Sequence, residues 1–131
     1  MKKSGIQNAE INAVISSIGH TQYIVIADVG LPIPKGVPCI DLALTSGTPS
    51  FMDVLKAVKT ELVIESYILA SELKSKRPIG YTEIGNEMEP IPGKLVPHEQ
   101  FKELSREAYA IIRTGETAAY ANIILIAGVN F

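Results

Sequence analysis

Tryptophan is absent from this 131-residue sequence, cysteine occurs once, and aromatic residues amount to 6%. With Cys39 alone, no disulfide can form within the chain, and a single thiol without a secretory signal fits a reducing, cytoplasmic setting. Charge of either sign is sparse: 12 Lys or Arg stand against 14 Asp or Glu, a net charge of −2. That leaves no basic stripe to neutralise phosphates and argues against nucleic acid or an anionic membrane as the main partner. The longest apolar run, Ile123 to Val129, falls far short of the roughly 18 residues of a membrane span. Asn8, Glu10 and Asn12 interrupt any apolar stretch behind Lys2 and Lys3, so the N-terminus does not read as a signal peptide. No His-x-x-x-His or Cys-x-x-Cys pair, Walker or dinucleotide glycine pattern, or Gly-x-Ser-x-Gly elbow occurs. The expectation is no metal and no cofactor.

What the chain has in quantity is aliphatic side chains. Hydrophobic residues reach 47% against 20% charged, and the mean hydropathy is +0.21. A chain of this length buries about 70% of its unfolded surface, enough for one domain with one core. The surplus of apolar residues means either an unusually aliphatic core or an apolar face covered by further copies of the chain.

The pattern of apolar residues alternates between two periods. Asn8 can cap a helix running to about Ile18, with Ile11, Val14, Ile15 and Ile18 on one face and Gly19 at C′. Tyr23 to Ala27 reads as a strand buried on both faces. Gly30 to Pro38, with three prolines and two glycines, is an ordered loop. Ile40 to Leu44 suggests a short strand. Thr48 and Pro49 suggest the N-cap and first residue of a helix carrying Phe51, Val54, Leu55, Val58 and Leu62. Leu62 to Ala70 contains a strand and Ser71 to Lys76 a helical turn. Pro78 to Pro97 reads as a surface excursion with at most a short strand near Leu95 and Val96. A helix over Glu99 to Arg106 and strands over Tyr109 to Ile112 and Asn122 to Ala127 complete the chain. Strands alternating with helices imply an α/β fold, a single three-layer α/β/α domain whose central sheet is largely parallel but mixed. Ligands in such folds sit at the carboxyl ends of the strands.

The scarce polar residues fall at element ends. Asp28 closes an uncharged strand, His20 follows a helix C-terminus, and His98 precedes a helix N-terminus. Tyr120 and Asn122 flank Ala121 as an i, i+2 pair directed to one side of a strand entry. Each has an ordinary structural use as a turn, cap or loop residue. The helix ends nevertheless bias His20 toward imidazolium and His98 toward neutral imidazole, one suited to an acid and the other to a base. Lys35 and Arg113 read as solvated, and Cys39 as a small hydrophobe. Thr114-Gly115-Glu116-Thr117 offers a weak anion cradle of backbone amides.

In Gly19-His20-Thr21, Ile24-Val25-Ile26-Ala27-Asp28, Gly30-Leu31-Pro32-Ile33-Pro34, Asp41-Leu42-Ala43-Leu44-Thr45, His98-Glu99, Arg113-Thr114-Gly115-Glu116 and Tyr120-Ala121-Asn122, the sequence resembles the D-ribose pyranase family. These are small cytoplasmic sugar mutarotases related to fucose mutarotase, and the likeness spans nearly the whole chain. It implies an isomerase that interconverts the pyranose and furanose forms of β-D-ribose without a cofactor. It also implies that His20 donates a proton, that Asp28 and His98 contact the sugar, and that Tyr120, Ala121 and Asn122 complete the site. Family members form decamers of two five-membered rings with sites where subunits meet, so the Tyr120 region of one copy is expected near His20 of another. A non-catalytic sugar-binding module, or a mutarotase for another sugar such as fucose, stands as the alternative.

Overall fold

The Asn8 side chain accepts the Ile11 N–H at 2.9 Å and starts α1, Ala9–Ser17, in the computed structural model, which describes residues 1–131. There follow β1 (Tyr23–Ala27), β2 (Cys39–Asp41), α2 (Phe51–Glu61), β3 (Ile64–Ala70), α3 (Ser71–Lys76) and α4 (Pro78–Met88). The chain ends with β4 (Gly93–Val96), α5 (His98–Ser105), β5 (Ala110–Arg113) and β6 (Ile123–Ala127).

The six strands form one sheet in the order β2-β5-β1-β6-β3-β4. β1 pairs in parallel with β5, β2 with β5, and β3 with β4, whereas β6 is antiparallel to both β1 and β3. Five strands therefore point one way, and β6 runs against them from an interior position.

Strand residues alternate between the two faces. Ile24, Ile26, Ala110, Ile112, Ile123 and Leu125 join one cluster with α1 to α4, through Ile11, Leu55, Val58, Leu73, Ile84 and Met88. Val25, Ala27, Ile111 and Ile124 join the other with Phe101 of α5 and Leu31 of the proline-rich loop. The three layers match the expectation, but the second outer layer is thin: one short helix and a loop cover it.

Three local expectations need correction. The stretch from Pro78 to Pro97 holds a three-turn helix, α4. Its prolines lie at the first helical position or beyond the last, where they cost nothing, and Tyr81, Ile84 and Met88 carried the helical spacing that the prolines obscured. α2 is capped by Ser50, whose hydroxyl accepts the Asp53 N–H at 3.1 Å, and not by Thr48. Gly19 does not take the left-handed conformation of a helix stop; Thr21 does, with φ of 71°.

Leu55 of α2 is fully buried against the sheet. Leu55→Ala is expected to cost about 2–5 kcal/mol, since truncating a close-packed leucine leaves a cavity that the sheet cannot collapse into. Urea unfolding monitored by circular dichroism measures it; a loss under 1 kcal/mol would contradict this packing.

Candidate active site

β1, β3, β4 and β5 all end at the same edge of the sheet, and β6 begins there. Asp28 leaves β1 at this edge. Asn122, one residue before β6 and 1% exposed, reaches it with both ends of its amide: Oδ1 accepts the Asp28 N–H at 2.8 Å, and Nδ2 donates to Asp28 Oδ2 at 3.0 Å. Oδ1 of Asp28 accepts the Gly30 N–H at 2.9 Å. The carboxylate is thus fixed in place with lone pairs left over for a ligand.

A second set of bonds holds the walls. Thr114 donates from both its N–H and Oγ1 to the Ala27 carbonyl, at 2.9 and 2.8 Å. Arg113 Nε donates to the Val29 carbonyl at 3.1 Å while its Nη1 holds Asp41 at 3.0 Å. The Ala43 N–H and then Arg113 keep the Asp41 carboxyl below the usual carboxylate range. Arg113 is therefore a clamp, not the solvated residue its position suggested. The amide cradle at Thr114 to Thr117 is already filled. Glu116 Oε2 accepts the N–H groups of Thr117 and Ala118 at 3.1 and 3.2 Å, and Oε1 accepts that of Phe51 at 3.2 Å. No amide of that loop is left for an external anion. Gly115 permits the packing: a Cβ there would lie 2.3 Å from the Thr48 carbonyl oxygen.

His98 is the first residue of α5, and its N–H points at the Glu72 carboxylate, 3.0 and 3.1 Å from the two oxygens. Desolvation pushes the Glu72 carboxyl up, but hydrogen bonds from its own N–H, that of His98 and the Ser71 hydroxyl outweigh it and hold it below the usual range. The His98 ring meets Tyr120 edge-on at 5.1 Å between centroids. Its Nδ1 is buried without a partner.

Tyr120 has a φ of 61°, which turns it away from Asn122. The i, i+2 rule that put both on one side applies to extended backbone only: Asn122 goes inward to Asp28 and Tyr120 outward. Lys76 lies 5.5 Å from the Tyr120 ring centroid, and Arg77 Nη1 donates to the Ala119 carbonyl at 3.2 Å. Both come from the α3–α4 junction, just before the segment whose helix the proline count hid.

The result is a cleft of about 310 Å³ lined by Asp28, Leu31, Pro32, His98, Glu116 and Tyr120, among others. Three of the six sequence-derived residues meet in it. Asn122 stands behind Asp28, and Ala121, 4% exposed, packs into the core. His20 is elsewhere: it precedes β1 at the opposite edge of the sheet, about 16 Å of strand away, with Nε2 2.8 Å from Glu65 Oε2. His20 and His98 do not meet in one chain. Glu116, which lines the cleft, and Glu72 and Lys76, which contact His98 and Tyr120, do not stand out from sequence, because only folding shows which charges reach the site. Cys39 lies on β2, outside the cleft, and desolvation, then the Asp41 charge, pushes its thiol up.

The model of the RbsD / FucU transport protein family matches residues 1–130. The chain belongs to the RbsD/FucU family. It is 53% identical to a protein of Geobacillus thermodenitrificans named D-ribose pyranase, over 100% of this chain and 99% of that one. Among RbsD/FucU structures, Bacillus subtilis RbsD complexed with D-ribose superposes with a TM-score of 0.96 at 43% identity, covering 100% of both chains. A FucU from Bifidobacterium longum gives 0.78 at 26% identity, over 95% of this chain and 96% of the other. The likeness to the Bacillus subtilis chain, covering 100% of both, extends over every element that builds the cleft.

Asn122→Asp puts a second carboxylate 3.0 Å from Asp28 Oδ2. One of the pair must then hold a proton, so its folded-state pKa rises above the unfolded value, and stability is lost as pH rises through the raised value. We expect a loss of about 2–4 kcal/mol at pH 7, most of it recovered near pH 4. Urea unfolding at both pH values measures this; an equal loss at each would contradict the arrangement.

Proposed function

We propose that this chain is a D-ribose pyranase, an isomerase that interconverts the pyranose and furanose forms of β-D-ribose. The observation that carries the reading is the full-length superposition on an RbsD complexed with D-ribose, over a cleft in which a fixed carboxylate, an imidazole and a phenol converge. The reaction needs only proton transfers. An acid protonates the ring oxygen, a base takes the proton of the anomeric hydroxyl, and the C1 to ring-oxygen bond opens. The aldehyde turns and recloses through a different hydroxyl. Positioned acid and base groups each contribute roughly 10² to 10⁴ in rate.

In this reading Asp28 accepts from sugar hydroxyls, since its carboxylate is held by Asn122 and Gly30 with acceptor capacity to spare. His98 meets the sugar through its imidazole, and the Tyr120 hydroxyl closes the rim. Ala121 and Asn122 serve the sugar through the backbone turn that they share with Tyr120. His20 is the proton donor. Because it lies at the far edge of its own sheet, it reaches the cleft from a neighbouring copy, and the active unit is a homo-oligomer, a decamer of two five-membered rings with sites between subunits. Support comes from apolar side chains with no cover in one chain, Leu44 at 81% and Ile79 at 76% exposed, and from the thinly covered second face. No helix is long and apolar enough to cross a membrane, and we place the enzyme in the cytoplasm on the strength of its lone, unpaired Cys39.

Saturation-transfer NMR on D-ribose tests the activity. We expect faster exchange between ring forms with the wild-type protein, and His20→Ala to lose about 10²-fold or more of the rate while keeping the fold and the ribose contacts. Binding without faster exchange would instead favour a sugar-binding module, and faster exchange of fucose alone a fucose mutarotase.

Sedimentation velocity tests the assembly. The expected species is far larger than the 14.1 kDa chain; an active monomer would overturn the shared site.

A further inference from the structure

His20 and Glu65 form an exposed pair, 50% and 44% accessible, with 2.8 Å between Nε2 and Oε2. Such a pair at a protein surface needs no special backbone. This one has three unusual backbone features around it. Ile64 pairs with Ala127 and Ser66 with Ile126, so Glu65 is an extra residue in β3, a bulge that re-aims its side chain. Thr21, directly after His20, is one of two non-glycine residues with positive φ; the other, Tyr120, is in the cleft. Strain of this kind gathers at functional sites. Gly128, just past β6, supplies the third: a Cβ there would lie 3.2 Å from the Glu65 Cβ, so a side chain would press on the bulge. The neighbouring carboxylate, Glu61, is committed elsewhere, to the Ile6 N–H at 2.8 Å and to Lys2 at 3.6 Å.

We propose that Glu65 is the positioning partner of His20: it holds the Nε2–H and leaves Nδ1 as the nitrogen that exchanges a proton with the sugar. The proposal rests on His20 being the acid, as argued above. An ionised carboxylate only accepts, so the bond at 2.8 Å fixes the proton on Nε2 in the neutral ring. In the forward step Nδ1–H of the imidazolium passes its proton to the ring oxygen as the C1 to oxygen bonding pair moves onto that oxygen. Asp28 of the copy that forms the cleft takes the anomeric hydroxyl proton, and the C1 carbonyl forms. Neutral His20, still bound to Glu65, then has its Nδ1 lone pair available to take a proton back when a different hydroxyl recloses the ring. One imidazole thereby serves opening and closure, with its orientation set by a residue that never touches the sugar.

The test uses the assembled full-length protein with D-ribose as probe, comparing Glu65→Ala, Glu65→Gln and His20→Ala. Ring-exchange kinetics give kcat and KM, and long-range ¹H–¹⁵N correlation reads the tautomer of His20. Glu65→Ala should lower kcat about 10- to 100-fold with KM nearly unchanged and mix the two tautomers. Glu65→Gln keeps an acceptor at Oε1 and should recover most of the rate with the proton on Nε2. Wild-type kcat in Glu65→Ala, beside a lost rate in His20→Ala, overturns the proposal alone, as does a neutral wild-type ring protonated on Nδ1. An unimpaired His20→Ala overturns both the acid assignment and this proposal.

Discussion

Strand β6 runs against both of its neighbours from an interior position in the sheet, and the placement of the candidate site residues at both edges of the sheet follows from that pairing. Its antiparallel ladder with β1 and β3 brings its first residues to the edge where those strands end. Asn122 is thereby carried to Asp28, and Tyr120 to His98. The same ladder delivers its last residues to the opposite edge, where the Ala127 carbonyl accepts the Thr21 N–H at 3.0 Å and Gly128 passes over Glu65. A parallel β6 would require a crossover of a dozen or more residues and would reverse both ends.

The cleft is built from groups whose hydrogen-bonding capacity is largely used by the protein itself. Glu116 spends its carboxylate on three amides, Glu72 on the His98 N–H, and Arg113 on Val29 and Asp41. What remains unspent is a short set: the free lone pairs of Asp28, the imidazole of His98 and the phenol of Tyr120. That economy defines a site for a neutral, hydroxyl-rich ligand, because a rigid framework offers donors and acceptors without having to reorganise. A metal-sized cluster of His, Cys, Asp and Glu does not form anywhere in the chain, and the Thr114 to Thr117 amides are closed to an anion.

Much of this was legible in the sequence, and the misses have physical causes. The strand at Tyr23–Ala27 and the face of α2 followed from apolar period, since fully buried elements leave the pattern little freedom. Asp28, His98 and Tyr120 stood out because polar residues at the ends of uncharged elements are conspicuous in so aliphatic a chain. α4 was missed because four prolines and three glycines between Pro78 and Pro97 dominate a local reading, although the prolines lie at or outside the helix boundaries. Glu72 and Lys76 could not be chosen among many similar charges. Asn122 was read as facing with Tyr120, and the turn at Tyr120, a φ of 61° in a residue with a Cβ, has no signature in the sequence.

The amino-acid order by itself determined that the chain is one α/β domain, which segments form buried strands, and which few polar residues stand at their ends, because burial and period are properties of neighbours along the chain. Tertiary structure decided how those residues divide between two edges. Asp28, His98 and Tyr120 come together from segments separated by 70 residues or more in part, whereas His20, only eight positions before Asp28, is carried a full strand length away. Separation in space is set by the direction and order of strands, which depend on pairings between distant segments and not on spacing along the sequence.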